Sequence, residues 1–258
     1  KGSSHTDLMA KDPKGARTGF AGGAKNGKTF LYTSNRRDRR FLDLYEYELA
    51  TGKSTLLWKS SGRRAFAMAS RDHRRFAIVE TLSDVNNNLY LVRRGKKGKP
   101  ALLTKHQGDA RYQPTGFSPD GKTLFYKSDA EGEFFALYSI DLKRKKTKKV
   151  LAENWDVDAG RYTRGGRYFF TLTNVDGTFK ASFRDVKKNA PAKLPTLPGG
   201  AGLVVVHSSK SDRYLGGYLL TDTAPTSLYV IDMEKQNLRK LVEVLPESLA
   251  KRPMVAGK

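Results

Sequence analysis

Phe117-Ser-Pro-Asp-Gly-Lys-Thr-Leu-Phe-Tyr-Lys-Ser-Asp129 is the stretch on which the fold turns. Its first half is a tight turn, in which proline presets φ and glycine relieves the position that needs a positive φ. Its second half is a short aromatic-rich run bounded by polar residues, too short for a helix and rich in side chains that strands favour. Upstream, Tyr112-Gln-Pro-Thr-Gly-Phe117 reads as an inner strand. Downstream, after the polar loop Ser128-Asp-Ala-Glu-Gly132, residues Phe134 to Asp141 read as a third strand. The basic run Lys143-Arg-Lys-Lys-Thr-Lys-Lys149 reads as a turn, and Val150-Leu151 opens an outer strand.

The same line recurs in both directions along the chain. Its aromatic half returns as Lys28-Thr-Phe-Leu-Tyr-Thr-Ser-Asn35, Arg75-Phe-Ala-Ile-Val-Glu80, Arg167-Tyr-Phe-Phe-Thr-Leu-Thr-Asn174 and Arg213-Tyr-Leu-Gly-Gly-Tyr-Leu-Leu-Thr-Asp222. The following strand begins near Leu44, Leu89, Leu137, Ala181 and Leu228, a spacing of roughly 44 to 48 residues that matches propeller blades. Other turn-formers occupy the hairpin position: Asn26-Gly27, Asp72-His73, Gly165-Gly166 and Ser211-Asp212. The expected fold is all-β, a β-propeller of about five four-stranded blades over 14–60, 61–106, 107–154, 155–197 and 198–244. Residues 1–13 form an N-terminal extension. Residues 245–258 read as a linker-like tail with one possible helical patch, Pro246 to Arg252.

Composition narrows the function. With 258 residues and no cysteine, disulfides, thiolate metal sites and a cysteine nucleophile are excluded. No apolar run reaches the length of a membrane span, and residues 1–10 carry no apolar segment of signal-peptide length. Cytoplasmic and periplasmic or secreted locations are both compatible. Lys and Arg number 48 against 26 Asp and Glu, giving +22, a field that attracts polyanions whatever the fold.

Chemistry is sparse. A hydrolase of the α/β type needs Gly-x-Ser-x-Gly. The nearest stretch, Gly116-Phe-Ser-Pro-Asp-Gly121, has its second glycine one residue late and reads as a hairpin turn. His5, His73, His106 and His207 stand in no metal-ligand spacing. Asp156, Asp158 and Asp176 lack the alternating carboxylates of a calcium loop and read as loop-structuring residues. No cofactor motif is present. Two basic runs could contact phosphates: Arg36, Arg37, Arg39 and Arg40, and Lys143, Arg144, Lys145, Lys146, Lys148 and Lys149. Phe41, Phe134 and Phe135 lie near them in sequence, although strand aromatics more often pack in a core.

Asp12-Pro-Lys-Gly-Ala-Arg-Thr-Gly-Phe20 and the stretch from Phe30 through Asn35-Arg-Arg-Asp-Arg-Arg40 to Tyr47 resemble the propeller of the prolyl oligopeptidase family of serine peptidases. Trp155-Asp-Val-Asp158 and Asn174-Val-Asp-Gly177 resemble another blade of it. The turn Phe117 to Lys122 is shared with TolB-like propellers as well. Leu245-Pro-Glu-Ser-Leu-Ala-Lys-Arg-Pro-Met-Val-Ala256 is similar to the segment that joins that propeller to an α/β-hydrolase domain. The resemblance spans 12–256. It implies a non-catalytic propeller that caps a hydrolase site and admits short peptides, with the hydrolase domain or a peptide meeting the propeller face. The family's propellers commonly have seven blades, so five here imply either later blades of a peptidase or a closed five-bladed derivative. The alternative is a stand-alone basic propeller scaffold, natural or engineered, that binds acidic proteins or polyanions such as nucleic acid. An open ring would expose sheet edges and favour self-association.

Overall fold

The computed structural model describes residues 13–96, 98–198, 201–221 and 226–242. The possible helix at 246–252 and the hydrolase-linker resemblance at 245–256 lie outside these residues. The strands of the first blade are β1 (Thr18–Gly23), β2 (Thr29–Ser34), β3 (Asp43–Glu48) and β4 (Ser54–Trp58). The second blade comprises β5 (Arg64–Ala69), β6 (Arg75–Ser83), β7 (Asn86–Arg93) and β8 (Ala101–Leu102). In the third are β9 (Tyr112–Phe117), β10 (Thr123–Ser128), β11 (Ala136–Asp141) and β12 (Thr147–Leu151). The fourth has β13 (Asp156–Tyr162), β14 (Tyr168–Val175), β15 (Thr178–Asp185) and β16 (Ala190–Pro191). The last has β17 (Gly202–Ser208), β18 (Tyr214–Leu220), β19 (Ser227–Asp232) and β20 (Asn237–Lys240). Each blade is a four-stranded meander in sequence order, and the described strand pairs are antiparallel.

A meander gives each blade two distinct ends. The first-to-second and third-to-fourth strand hairpins share one end, here the turn end. The second-to-third connection and the passage to the next blade share the other, the loop end. A chain therefore enters a blade and leaves it at the loop end.

One hairpin geometry explains the repeated phrase. At the turn end, Gly27, His73, Gly121, Gly166 and Asp212 all sit at positive φ, between 53° and 85°. Each donates its N–H to the carbonyl three residues back, at 2.8 to 3.1 Å. Glycine adopts this conformation without a Cβ penalty, and aspartate is among the few other residues that reach it readily. In four blades the first turn residue is Ser70, Ser118, Thr163 or Ser209, whose Oγ accepts the N–H five residues on at 3.0–3.1 Å. The first blade has Ala24 there. A base follows the positive-φ residue every time: Lys28, Arg74, Lys122, Arg167 and Arg213.

Between neighbouring strands, facing aromatics repeat as well. Tyr32 stacks on Tyr45, Tyr126 on Tyr138 and Phe170 on Phe183, with ring centroids 5.3 to 5.5 Å apart. All three are directly opposed pairs in register, the geometry in which cross-strand side chains stabilise a sheet most.

The run 143–149 is not all turn: β12 begins at Thr147, so Lys148 and Lys149 are strand residues. An outermost strand exposes most of its side chains, so lysine costs little there and blunts a free edge.

The chain divides into two compact units at Pro114/Thr115. In the first, Leu31 and Leu44 of one blade pack against Phe76 and Ile78 of the next, all fully buried. In the second, Phe125 and Leu137 meet Val157, and a larger cluster joins Tyr168, Phe170 and Phe183 to Leu203, Leu215 and Ile231. Gly160 makes the first of these contacts possible: a Cβ there would lie 2.1 Å from Leu137 Cδ2. Each such Leu, Ile or Phe contributes about 1.5–3 kcal/mol by leaving water, so blade faces supply the core.

Candidate functional site

The two basic runs occupy different kinds of place. Residues 35–42 form the β2–β3 loop, at the loop end of the first unit, and here the arginines are held by local partners while Arg37, Arg39 and Arg40 stay exposed. Arg36 donates to Tyr32 Oη at 2.9 Å and lies over the Tyr45 ring. Arg37 bridges the fully buried Asp43 (Nη2–Oδ1 2.9 Å) and the Ser60 carbonyl, while Ser60 N also donates to Asp43. Arg39 donates to the carbonyls of Lys14 and Gly15. Arg40 clasps Asp38 (Nη2–Oδ2 2.8 Å), and this hydrogen bond holds the Asp38 carboxyl down at about 2. A long loop with no strand partner needs its polar groups met locally, and these arginines meet them.

The run 143–149 faces outward. Lys143, Arg144, Lys145 and Lys146 are exposed in the β11–β12 turn, with Lys145 at φ 56°. Asp141 accepts the backbone N–H of both Lys143 and Arg144 at 2.8 Å, and these bonds lower its carboxyl pKa. Lys148 is exposed on β12, while Lys149 reaches Glu131 at 2.7 Å.

Beside the β2–β3 loop, the first unit has a shallow cavity of about 550 Å³ between its two blades. Leu42 and Leu82 give it apolar wall, and Arg40, Arg63 and Arg64 give it positive charge, opposed by Asp84. Arg64 is fixed by Glu80 at 2.8 Å and lies over the Tyr90 ring, and Arg63 donates to the Leu82 carbonyl at 2.9 Å. Tyr90 Oη and Arg64 together lower the Glu80 carboxyl. Leu82 and Val85, 40% and 51% exposed, continue the apolar surface. The arrangement suits an extended segment that offers carboxylates and small apolar side chains. Sequence reading passed over it because Arg40, Arg63 and Asp84 come from three connections that only the blade packing brings together.

The loop end of the second unit has a different character. Phe134 and Trp155 pair with ring centroids at 6.3 Å, and Trp155 is 39% exposed. Asp156 accepts from Phe135 N at 2.8 Å and so ties down the loop before β11, whereas Asp158, read as loop-structuring, is a β13 strand residue whose carboxylate pairs with Lys127 of β10 at 2.7 Å. Arg161 on β13 donates to the Val205 carbonyl and lies over Phe170, and burial lowers the pKa of its guanidinium. Nothing in the sequence marked Arg161, since a strand arginine is normally solvated.

The remaining polar residues are structural. Ser118 Oγ donates to Asp120 at 2.6 Å and accepts from Thr123 N within a tight hairpin, so the near-miss motif is a turn. Buried His73 faces Glu46 at 3.3 Å, and His106 meets Asn86 at 2.9 Å. His207 is exposed on β17, and His5 lies outside the described residues. Among the described residues no group of three or more His, Asp or Glu gathers as metal ligands, and no helix is long and apolar enough to cross a membrane.

Five meander sheets of four strands, with ends of differing chemistry, define a β-propeller. A family model for the prolyl oligopeptidase N-terminal β-propeller domain matches residues 19–244, and the chain belongs to that family. Dipeptidyl aminopeptidase BIII of Pseudoxanthomonas mexicana is 28% identical over 236 residues, covering 90% of this chain and 34% of that protein. The chain thus spans about a third of the curated relative it matches. Among solved structures, a prolyl endopeptidase superposes with a TM-score of 0.64 at 15% identity, covering 87% of this chain and 34% of that one. A TolB protein from Agrobacterium tumefaciens gives 0.59 at 18% identity, over 88% and 80% of the two chains. These two likenesses establish a shared fold.

Proposed function

We propose that the chain is a non-catalytic cap over an α/β-hydrolase domain, admitting short peptides to the hydrolase site and excluding larger substrates. The observation that carries this reading is strand direction within a propeller of this family. β1 starts, and β20 ends, at the loop end of its blade. A hydrolase domain joined to either strand then meets loop ends first. Those ends carry the exposed apolar groups that docking requires, Leu82 and Val85 in the first unit and Trp155 in the second. Interfaces centre on such anchors, with polar groups around them. The arginine-rimmed cavity beside Leu82 adds a place where a peptide carboxylate can be held during entry.

The test is a chimera in which this chain replaces the propeller of dipeptidyl aminopeptidase BIII. Expected are cleavage of short peptides and protection of a folded protein substrate. Degradation of that folded protein at the rate of the bare hydrolase domain overturns the capping role. The chain alone is expected to leave peptide anilides and esters intact. Turnover blocked by a serine-directed inhibitor would overturn its non-catalytic assignment.

A further inference from the structure

Charge in the second unit is sorted by end. Its turn end consists of the hairpins 118–122, 142–146, 163–167, 186–189, 209–213 and 233–236, which hold twelve Lys or Arg against three Asp or Glu. Its described loop-end connections 129–135, 152–155, 176–177 and 192–198 hold five acids, Asp129, Glu131, Glu133, Glu153 and Asp176, and one base, Lys193. Turns at both ends are solvated, so folding alone does not require opposite signs.

The basic turns of neighbouring blades adjoin. The Asp212 carboxylate accepts Gly165 N at 2.6 Å and Arg167 N at 2.8 Å, and Ser208 Oγ accepts Arg164 N at 2.6 Å. A Cβ on Gly166 would lie 2.9 Å from the Pro119 ring. Eleven of the twelve bases are exposed. Three have carboxylate partners: Lys122 with Asp120 at 3.6 Å, Arg167 with Asp185 at 3.3 Å and Arg213 with Asp232 at 2.9 Å. The other nine, Lys143 to Lys146 among them, have no acidic partner among the described residues. The six turns contain no aromatic residue, and the one exposed ring directly beside them, Tyr214, lies under Arg213 at 5.0 Å.

We infer that the turn end of the third to fifth blades is a docking surface for an anionic lipid bilayer, with its unpaired lysines and arginines set against lipid phosphates. The inference is independent of the capping role, which uses the opposite end of each blade. Single-stranded nucleic acid is held by successive bases stacked on several aromatic side chains, and this end offers Tyr214 alone, already covered by Arg213. A bilayer asks only for cations spread over a broad face, each strengthening partition about five-fold near an anionic surface. The acids of the loop end are repelled by the same surface, so the unit lands in one orientation.

Co-sedimentation of the intact chain with vesicles of phosphatidylcholine plus phosphatidylserine, and of phosphatidylcholine alone, tests this. Binding is expected only to the first, weakening as salt is raised. Lys143→Glu with Lys146→Glu should lower it at least about 20-fold, and the Gln pair should lower it by less. Lys59→Glu with Lys105→Glu, exposed loop-end bases of the first unit, change net charge equally and should leave binding within about two-fold. Melting curves like that of the parent keep the comparison to the surface. Equal losses in both Glu variants overturn the site in favour of diffuse charge. Tighter binding to duplex DNA than to the anionic vesicles at the same ionic strength overturns the lipid assignment.

Discussion

Asp212 is fully buried and sits at φ 59°, yet its carboxylate caps the backbone of the preceding blade through Gly165 and Arg167. Removing it leaves two N–H groups without an acceptor, and alanine pays again for the left-handed backbone. Asp212→Ala is expected to cost about 2 kcal/mol or more, and Asp212→Asn less, because asparagine tolerates the conformation and keeps one acceptor oxygen. Urea titration of both variants checks the order; equal losses would deny the capping role. Asp232 tests a different residue-scale link. Its hydrogen bond with Arg213 lowers its carboxyl from an ordinary 3.8 to about 2. A depressed folded pKa contributes stability that is present above the unfolded pKa and lost as pH falls through the folded one. The Asp232 contribution should therefore fade between about pH 4 and pH 2. Arg213→Leu should flatten that limb of the urea midpoint against pH, and an unchanged slope would refute the link.

At the scale of the element, the repeated hairpin makes one blade a control for another. Ala24 is the first-turn residue without a hydroxyl, so Thr29 N lacks the Oγ partner that its counterparts have in the other four blades. Ala24→Ser should stabilise the chain by about 0.5–1 kcal/mol, measured as a rise in melting temperature; a fall would mean the first hairpin differs in geometry. These turns were legible because their demands are local. Gly27, Gly121 and Gly166 announce a positive φ, and the short apolar runs announce buried strands. The outermost strands were less so, since β8 and β16 have only two residues each and β12 carries lysines that imitate a turn. The cavity was not legible at all. Its arginines become a set only after Arg40, Arg63 and Arg64 are gathered from a loop, a connection and a strand start. Nor does composition tell the partnered arginines of 36–40 from the bases of 143–146, because the difference lies in nearby acceptors such as Asp43 and Asp38.

For the whole molecule, the capping and bilayer proposals assign the two ends of the blades to different partners. Trp155 is an exposed aromatic at the loop end of the second unit, where the proposed hydrolase domain would bury it. In the chimera, Trp155→Glu should weaken docking about 30-fold, the scale of an interface anchor, without lowering the melting temperature of the free chain. Admission of the folded substrate reports that loss, and retained protection would remove Trp155 from the interface. The net charge of +22 bears on the molecule as a whole. It keeps chains apart in solution and raises their attraction to any anionic surface.

The sorting of charge in the second unit also makes it an electric dipole with a handle. A sulfonated resin would seize the hairpin side and leave the acidic connections pointing into the buffer. At low salt the second unit would stand on such beads in one sense, with Trp155 and its neighbours outward. A column of that kind would present the second unit's proposed capping side to a passing hydrolase domain without a tag or chemical coupling.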